Sequence, residues 1–409
     1  MSVAASMPTD LLTPLGAYLR LRGSGGAFLL ESVERGRLGR YSFVGTGSQL
    51  CDLAEAESCG EPVVGYLAYD HVAQLEPTVP LPGRPSPFAE SRFVVADTLL
   101  RFDHAQGVAD VLAGDSGTIA AQLEGPVPTA GARHPTRPEG LRRFPTREEY
   151  QAQVVSAQDA IRAGEAFQIV LSQRAERPTS ASAVDLYRAL RRVNPSPYLF
   201  LLELDDLALI GSSPETLVKV TGRRASLNPI AGTTEAGEGD AERLLASAKE
   251  RAEHIMLVDL GRNDLSRVCR AGTVRVERFL EPERFSHVTH LVSEVSGELR
   301  DGVGPFDLLR ACFPAGTVSG APKVRAMQLI SELEGVRRGP YAGAVGYALP
   351  NGDLDTCIAI RTILLADGVA HLQAGAGIVV DSHPADEHEE CLRKLAALEA
   401  AIDLAEDAA

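Results

Sequence analysis

From Thr146 onward the chain switches repeatedly between two periodicities, and this alternation limits its fold more than any other feature. Strand-like apolar runs at 167–171, 198–204, 207–210, 342–348 and 357–365 are interleaved with helix-like runs at 242–260, 306–312, 324–333 and 387–404. Such a mixture predicts an α+β or α/β fold and leaves the strand order open. One helix has its limits written locally. Thr146 and Glu149 form a capping box, Tyr150, Val154, Ala157 and Ile161 keep helical spacing, and Gly164 stops the run.

Two proline-rich stretches, 76–88 and 126–145, punctuate the first third, and the second reads as a linker. It divides an expected amino-terminal region, 1–140, from a larger one, 146–409; 409 residues exceed the usual single-domain size. The formal charge of −15 argues against nonspecific nucleic-acid binding, which needs a basic face. No run approaches the roughly 20 apolar residues of a membrane span. Six cysteines without a CxxC pair, and a start lacking a basic segment and apolar core, predict a reducing, cytoplasmic setting.

Glu250 and Glu253 are spaced i, i+3 in KERAEHIMLVDL, within a helix-forming run whose expected apolar stripe is Leu245, Ala248, Ala252, Ile255 and Met256. Glu387 and Glu390 repeat that spacing in ADEHEECLRKL. Like charges so placed repel on a bare helix, so each pair means either a solvated face or a hard cation. Between and around them lie PAGTVSGAPK (314–323) and the glycine-rich QAGAGIVVDS (373–382), where backbone amides can approach an anion.

Together with GEAFQIVLSQR (164–174), SSPETLV (212–218), NPIAGT (228–233), FSHVTHLVS (285–293), GPYAGAVGY (339–347) and DTCIAIRT (355–362), these segments resemble the chorismate-utilising enzymes, a family that includes the anthranilate, aminodeoxychorismate, isochorismate and salicylate synthases. The resemblance implies an α+β fold of two large, antiparallel-rich sheets packed as an orthogonal sandwich flanked by helices. It implies a Mg²⁺ shell of Glu250, Glu253, Glu387 and Glu390. Tyr341, Arg361, Ala376 and Gly377 would meet the enolpyruvyl side chain of chorismate, and Gly232, Thr233 and Thr317 its ring. Thr233 is also placed among the catalytic groups, with His290 and Glu215 as acid/base residues near the leaving C4 hydroxyl. Lys394, one turn beyond Glu390, would balance the acidic cluster.

Two positions separate reactions within the family. Members that add water place a lysine base where this chain has Gln168; neutral ammonia is already a nucleophile that an amide can orient. Aminodeoxychorismate synthases commonly carry a lysine nucleophile where this chain has Ala231. The resemblance therefore implies ammonia addition at C2 and release of anthranilate and pyruvate, a lyase reaction of tryptophan biosynthesis. An aminodeoxyisochorismate or aminodeoxychorismate synthase is the alternative, and an inactive tryptophan-binding scaffold the alternative of another class.

The amino-terminal segments FLLESVERGRLGRYSFVG (28–45) and VGYLAYD (64–70) share the resemblance, which implies an L-tryptophan inhibitor pocket of Glu31, Ser32, Ser42, Pro197, Tyr198 and Leu199. Only 18 residues separate Gly45 from Val64, fewer than is typical of the family. None of the cysteines has amidotransferase surroundings, so a separate glutamine amidotransferase subunit, in a heterodimer or heterotetramer, is the expected ammonia source.

Overall fold

The computed structural model describes residue 3 and residues 5–407, except 24, 35–36, 129–139, 236, 238 and 285–287. Two large sheets carry the fold, and every strand pairing among the described residues is antiparallel. The first has twelve strands, running Ala5–Pro8, Val108–Ala113, Thr98–Asp103, Arg37–Gly47, Gly26–Glu34, Tyr198–Leu204, Leu207–Ser213, Thr362–Ala366, Val369–Ile378, Gln168–Pro178 and Gly320–Ala321, with Arg142–Phe144 beside Gln168–Pro178. The second has ten, running Ile230–Glu235, Val288–Glu298, Arg224–Leu227, Thr216–Thr221, Leu354–Ile358, Ala344–Ala348, Val63–Leu67, Ser91–Val95 and Gln49–Cys51, with Arg275–Arg284 beside Val288–Glu298. Strands from before and after residue 140 occur in both sheets.

Period-two alternation explains the layers. In Val63–Leu67, Val64 and Tyr66 join Phe200, Leu202, Leu209, Val345 and Cys357 in a core between the sheets. Val63 and Leu67 face the other way and pack with Val258, Leu265, Leu309 and Met327 of the helices covering the second sheet. Leu199 and Leu201 likewise face Leu186, Tyr187, Leu395 and Leu398 on the outer side of the first sheet. With both faces covered, strands such as Leu207–Ser213 are buried along their whole length, which is why the sequence shows continuous apolar runs there.

The capping box forms as expected. Thr146 accepts from the Glu149 amide at 3.3 Å, the Glu149 carboxylate accepts from the Thr146 amide at 2.8 Å, and the helix Arg147–Arg162 buries Tyr150, Val154 and Ala157. Of the expected linker, residues 129–139 lie outside the described residues.

Two expectations are corrected. The run 242–260 is not one helix: Asp240–Ala246 ends and Ala248–Ser266 begins at Ser247, whose hydroxyl accepts from the Glu250 amide at 3.3 Å. The second helix buries His254, Leu257, Val258, Gly261 and Leu265, whereas Leu245, Ala248, Ala252 and Ile255 of the expected stripe are exposed. The run 357–365 is likewise two strands. Leu354–Ile358 belongs to the second sheet and Thr362–Ala366 to the first, with Arg361 at φ +50° in the crossing.

Candidate active site

The crossing at Arg361 has a twin. Leu207–Ser213 lies in the first sheet and Thr216–Thr221 in the second, so the chain also changes sheet at Pro214 and Glu215. The two crossings are bonded side by side: the Ser212 amide donates to the Arg361 carbonyl at 3.1 Å and the Ile358 amide to the Glu215 carbonyl at 3.0 Å. A left-handed backbone at a non-glycine residue costs on the order of 1 kcal/mol or more, which this bonding must hold in place. The result is a glutamate and an arginine facing one another where the sheets exchange strands.

Glu215 is buried, and the Thr317 hydroxyl donates to its Oε1 at 2.9 Å. Burial pushes its carboxyl up to about 8, against the opposing pull of Thr317, Arg361 and Lys394. Burial also pulls the Arg361 guanidinium down, opposed by Glu215. Glu215 and Thr317 line a small cavity of about 40 Å³ with Asn228, Leu257 and Asp264.

Beside this lies the strand that carries Gly232. Gly232 is at φ +71°, and a side chain there would come within 3.1 Å of the Glu250 carboxylate, so its glycine lets that acid approach the strand. The Gly232 carbonyl accepts from His290 Nδ1 at 3.0 Å, and Thr233 pairs with His290 across the strands, while the Thr233 side chain lies outside the described residues. Burial, and secondarily Arg361, lowers the His290 pKa, so its Nδ1 proton is donated to a carbonyl and its Nε2 is left neutral. Of 285–293, residues 285–287 lie outside the described residues.

The two glutamate pairs face one another from different helices, Ala248–Ser266 and Pro384–Asp407. Burial raises the Glu250 pKa, with repulsion from Glu253 and Glu390 adding to it. Glu387 is raised by burial and by Glu390, against a hydrogen bond from Ser382. Glu253 Oε1 accepts from Gln168 Nε2 at 2.9 Å, and Glu390 pairs with Lys394 at 2.8 Å. Among the described residues no three acidic, imidazole or thiol groups stand close enough to hold a metal ion as they are. A set of hard oxygen donors only partly compensated by Lys394, spread rather than gathered, suits an ion that keeps part of its water shell.

Glycine also shapes the remaining wall. A side chain at Gly377 would strike Gln168 Nε2 at 2.6 Å, and one at Gly375 would strike the Tyr341 hydroxyl at 2.9 Å. Lys394 Nζ donates to the Gly375 carbonyl at 2.7 Å. Ala376 differs from the expectation: its methyl joins Tyr150, Val154 and Leu171 in the core on the helix side, so only its backbone is available to a ligand. The sequence reading missed Ser382, which opposes the upward shift of the Glu387 pKa, and the buried pair of Lys323 with Asp264 at 2.7 Å, which ties two motif-bearing helices together. Ser382 and Lys323 lie inside motifs that were legible, but their type alone marks no role.

A second, larger cavity of about 780 Å³ opens between the sheets, lined by Glu31, Ser32, Pro197, Tyr198 and Leu199 together with Phe43 and Tyr347, whose rings are 4.6 Å apart. Ser42 does not line it. It stands opposite Glu31 in register, fully buried, with its hydroxyl 2.7 Å from His104 Nε2. Glu31 Oε2 accepts from the Tyr187 hydroxyl and pairs with Arg191 at 3.2 Å, while its buried Oε1 has no partner.

Known proteins give this geometry a context. The family described as chorismate binding enzyme matches residues 31–400. The chain is 41% identical to anthranilate synthase component 1 of Thermus thermophilus, over 97% of this chain and 96% of that one. It is 43% identical to the Streptomyces coelicolor protein of the same name, over 98% and 88%. Its fold is similar to the crystal structure of anthranilate synthase component I from Streptococcus pneumoniae, with a TM-score of 0.79 and 33% identity over 97% of this chain and all of that one. Crossings, paired glutamates and glycine-lined gap thus sit in a chain that belongs to the chorismate-binding enzyme family.

Proposed function

We propose that the chain is the large subunit of an anthranilate synthase, converting chorismate and ammonia to anthranilate, pyruvate and water in the first step of tryptophan biosynthesis. The observation that carries this reading is the buried Glu215 at the paired crossings, protonated up to about pH 8 beside Arg361. Expelling the C4 hydroxyl requires a proton, and a carboxyl with this pKa still holds one at neutral pH. Gln168 commits its amide nitrogen to Glu253 and keeps its carbonyl oxygen free to orient an ammonia N–H toward C2. Neutral His290 is suited to receive the C2 proton, after which the enolpyruvyl group leaves as pyruvate and the ring becomes aromatic.

Glu250, Glu253, Glu387 and Glu390 would hold Mg²⁺, directly and through water; when bound it supplies positive charge to a substrate carboxylate. Arg361 and Tyr341 would hold the other carboxylate. Ammonia would come from a glutamine amidotransferase subunit in the cytoplasm. The six cysteines are free thiols, and no helix among the described residues is long and apolar enough to cross a membrane. The 780 Å³ cavity would take L-tryptophan as inhibitor, its ammonium against Glu31 Oε1.

Incubation of the purified chain with chorismate, Mg²⁺ and ammonium at mildly alkaline pH, with products identified by mass, tests the reaction. Anthranilate and pyruvate in equal amounts are expected, and chelation of the metal stops their formation. A product that retains the enolpyruvyl group, or an isomer hydroxylated by water, would overturn the assignment.

A further inference from the structure

The Gln168–Pro178 strand serves two cavities on one face. Gln168, Ser172, Arg174 and Glu176 alternate onto the same side, opposite Gln373 and His371 of the paired strand. At the Gln168 end lies the glutamate gap. Six residues further, roughly 20 Å at ~3.3 Å per residue, Arg174 borders a separate cavity of about 380 Å³. Tyr341 stands between them.

The first proline-rich stretch forms the outer wall of this cavity. Its carbonyls are pinned along the helix Lys323–Glu334 and the segment after it: Gln328 Nε2 donates to Thr78 O at 3.1 Å and Arg337 Nε to Pro82 O at 3.1 Å. That brings Phe88 edge-on to the His371 ring, with centroids 5.4 Å apart at 84°. Leu364 completes an apolar floor.

The rim carries the opposite character. Arg84, Arg174 and Arg337 all line the cavity, and none has a carboxylate within ion-pair distance among the described residues. Arg338 also lines it but is consumed by Glu334 at 2.6 Å. Glu176, the one carboxylate in the lining, lies 3.6 Å from His371 and 3.7 Å from Arg142. Elsewhere arginines are commonly paired, as Arg177 is with both Asp403 and Glu406. Three guanidinium groups without a carboxylate partner thus border one hollow, in a chain of charge −15.

We infer that this cavity is a further binding site, for a small ring-bearing anion: the ring against Phe88 and Leu364, and its carboxylate or phosphate in the forks of Arg174 and Arg337. The volume falls in the range of small-molecule pockets. The assignment does not depend on the reaction proposed above.

Calorimetric titration of the full chain without Mg²⁺, using phthalate and phenyl phosphate as probes at constant ionic strength, tests it. One saturable site is expected for at least one probe, and the preferred probe tells a carboxylate from a phosphate ligand. Affinity should fall ~10-fold or more in the Arg174→Gln/Arg337→Gln variant, the scale of losing charge-assisted hydrogen bonds, and be unchanged in Arg361→Gln. If the double variant does not fold, Arg84→Gln, on an exposed residue, should still weaken binding ~3-fold, about half of one such hydrogen bond. Absence of saturable binding to the unmodified chain overturns the inference. So does binding insensitive to the rim arginines, or binding lost only in Arg361→Gln, which would place the probe in the glutamate gap.

Discussion

Two buried glutamates, Glu215 and Glu31, line two different cavities and are built for different work. Glu215 lies where the chain changes sheet, with a single hydroxyl donating to it and an arginine facing it, and burial dominates its chemistry. Glu31 lies within the strand Gly26–Glu34, its Oε2 held by Tyr187 and Arg191 and its buried Oε1 without a hydrogen-bond partner. A carboxyl governed by desolvation is poised to give up a proton. One braced by a cation, with an oxygen to spare, is poised to recognise charge. The backbone sets the difference: a crossing offers few neighbours to neutralise the acid, whereas a strand beneath a helix brings them from behind.

The contrast is broken most severely at Glu215. Glu215→Gln removes the proton donor and should lower kcat by ~10²–10⁴-fold with the fold intact, measured as anthranilate fluorescence under saturating chorismate. A change of less than a few-fold would make Glu215 structural. At the other acid the effect is one of affinity. Glu31→Gln should raise the tryptophan concentration for half-inhibition by ~10–100-fold, the scale of one hydrogen bond to a charged group. Ser32→Ala should raise it by only ~3–10-fold, since a neutral hydroxyl is lost. Equal effects of the two substitutions would dissolve the distinction between charge recognition and simple lining.

Much of the fold could be read locally, because local chemistry wrote it. Thr146, Glu149 and Gly164 delimit a helix by caps and turn, and that helix forms as read. Ser247 and Glu250 carry a similar signature, a hydroxyl three residues before an acid, yet it is submerged in a run of good helix formers. The exposed Leu245, on the preceding helix, and Ile255, beside the glutamate face of this one, then mimic a core stripe. The crossings are harder still. CIAIRTILL is apolar on both sides of Arg361 because each half is covered on both faces in its own sheet, so no periodicity changes where the sheet does. Resemblance named Arg361 and Glu215, but not that adjacent crossings bring them together. For Ala376 it gave a neighbour of Gly377 whose side chain the pleat turns away.

The account rests on Glu215 as the proton donor, and the basic limb of its pH profile tests that most directly. Activity should fall as Glu215 loses its proton near pH 8, measured at constant free ammonia. The Thr317 hydroxyl favours the charged form, so removing it must raise the Glu215 pKa. In Thr317→Val the basic limb should therefore move to higher pH. A limb that stays in place, or moves to lower pH, would contradict the assignment of the proton to Glu215.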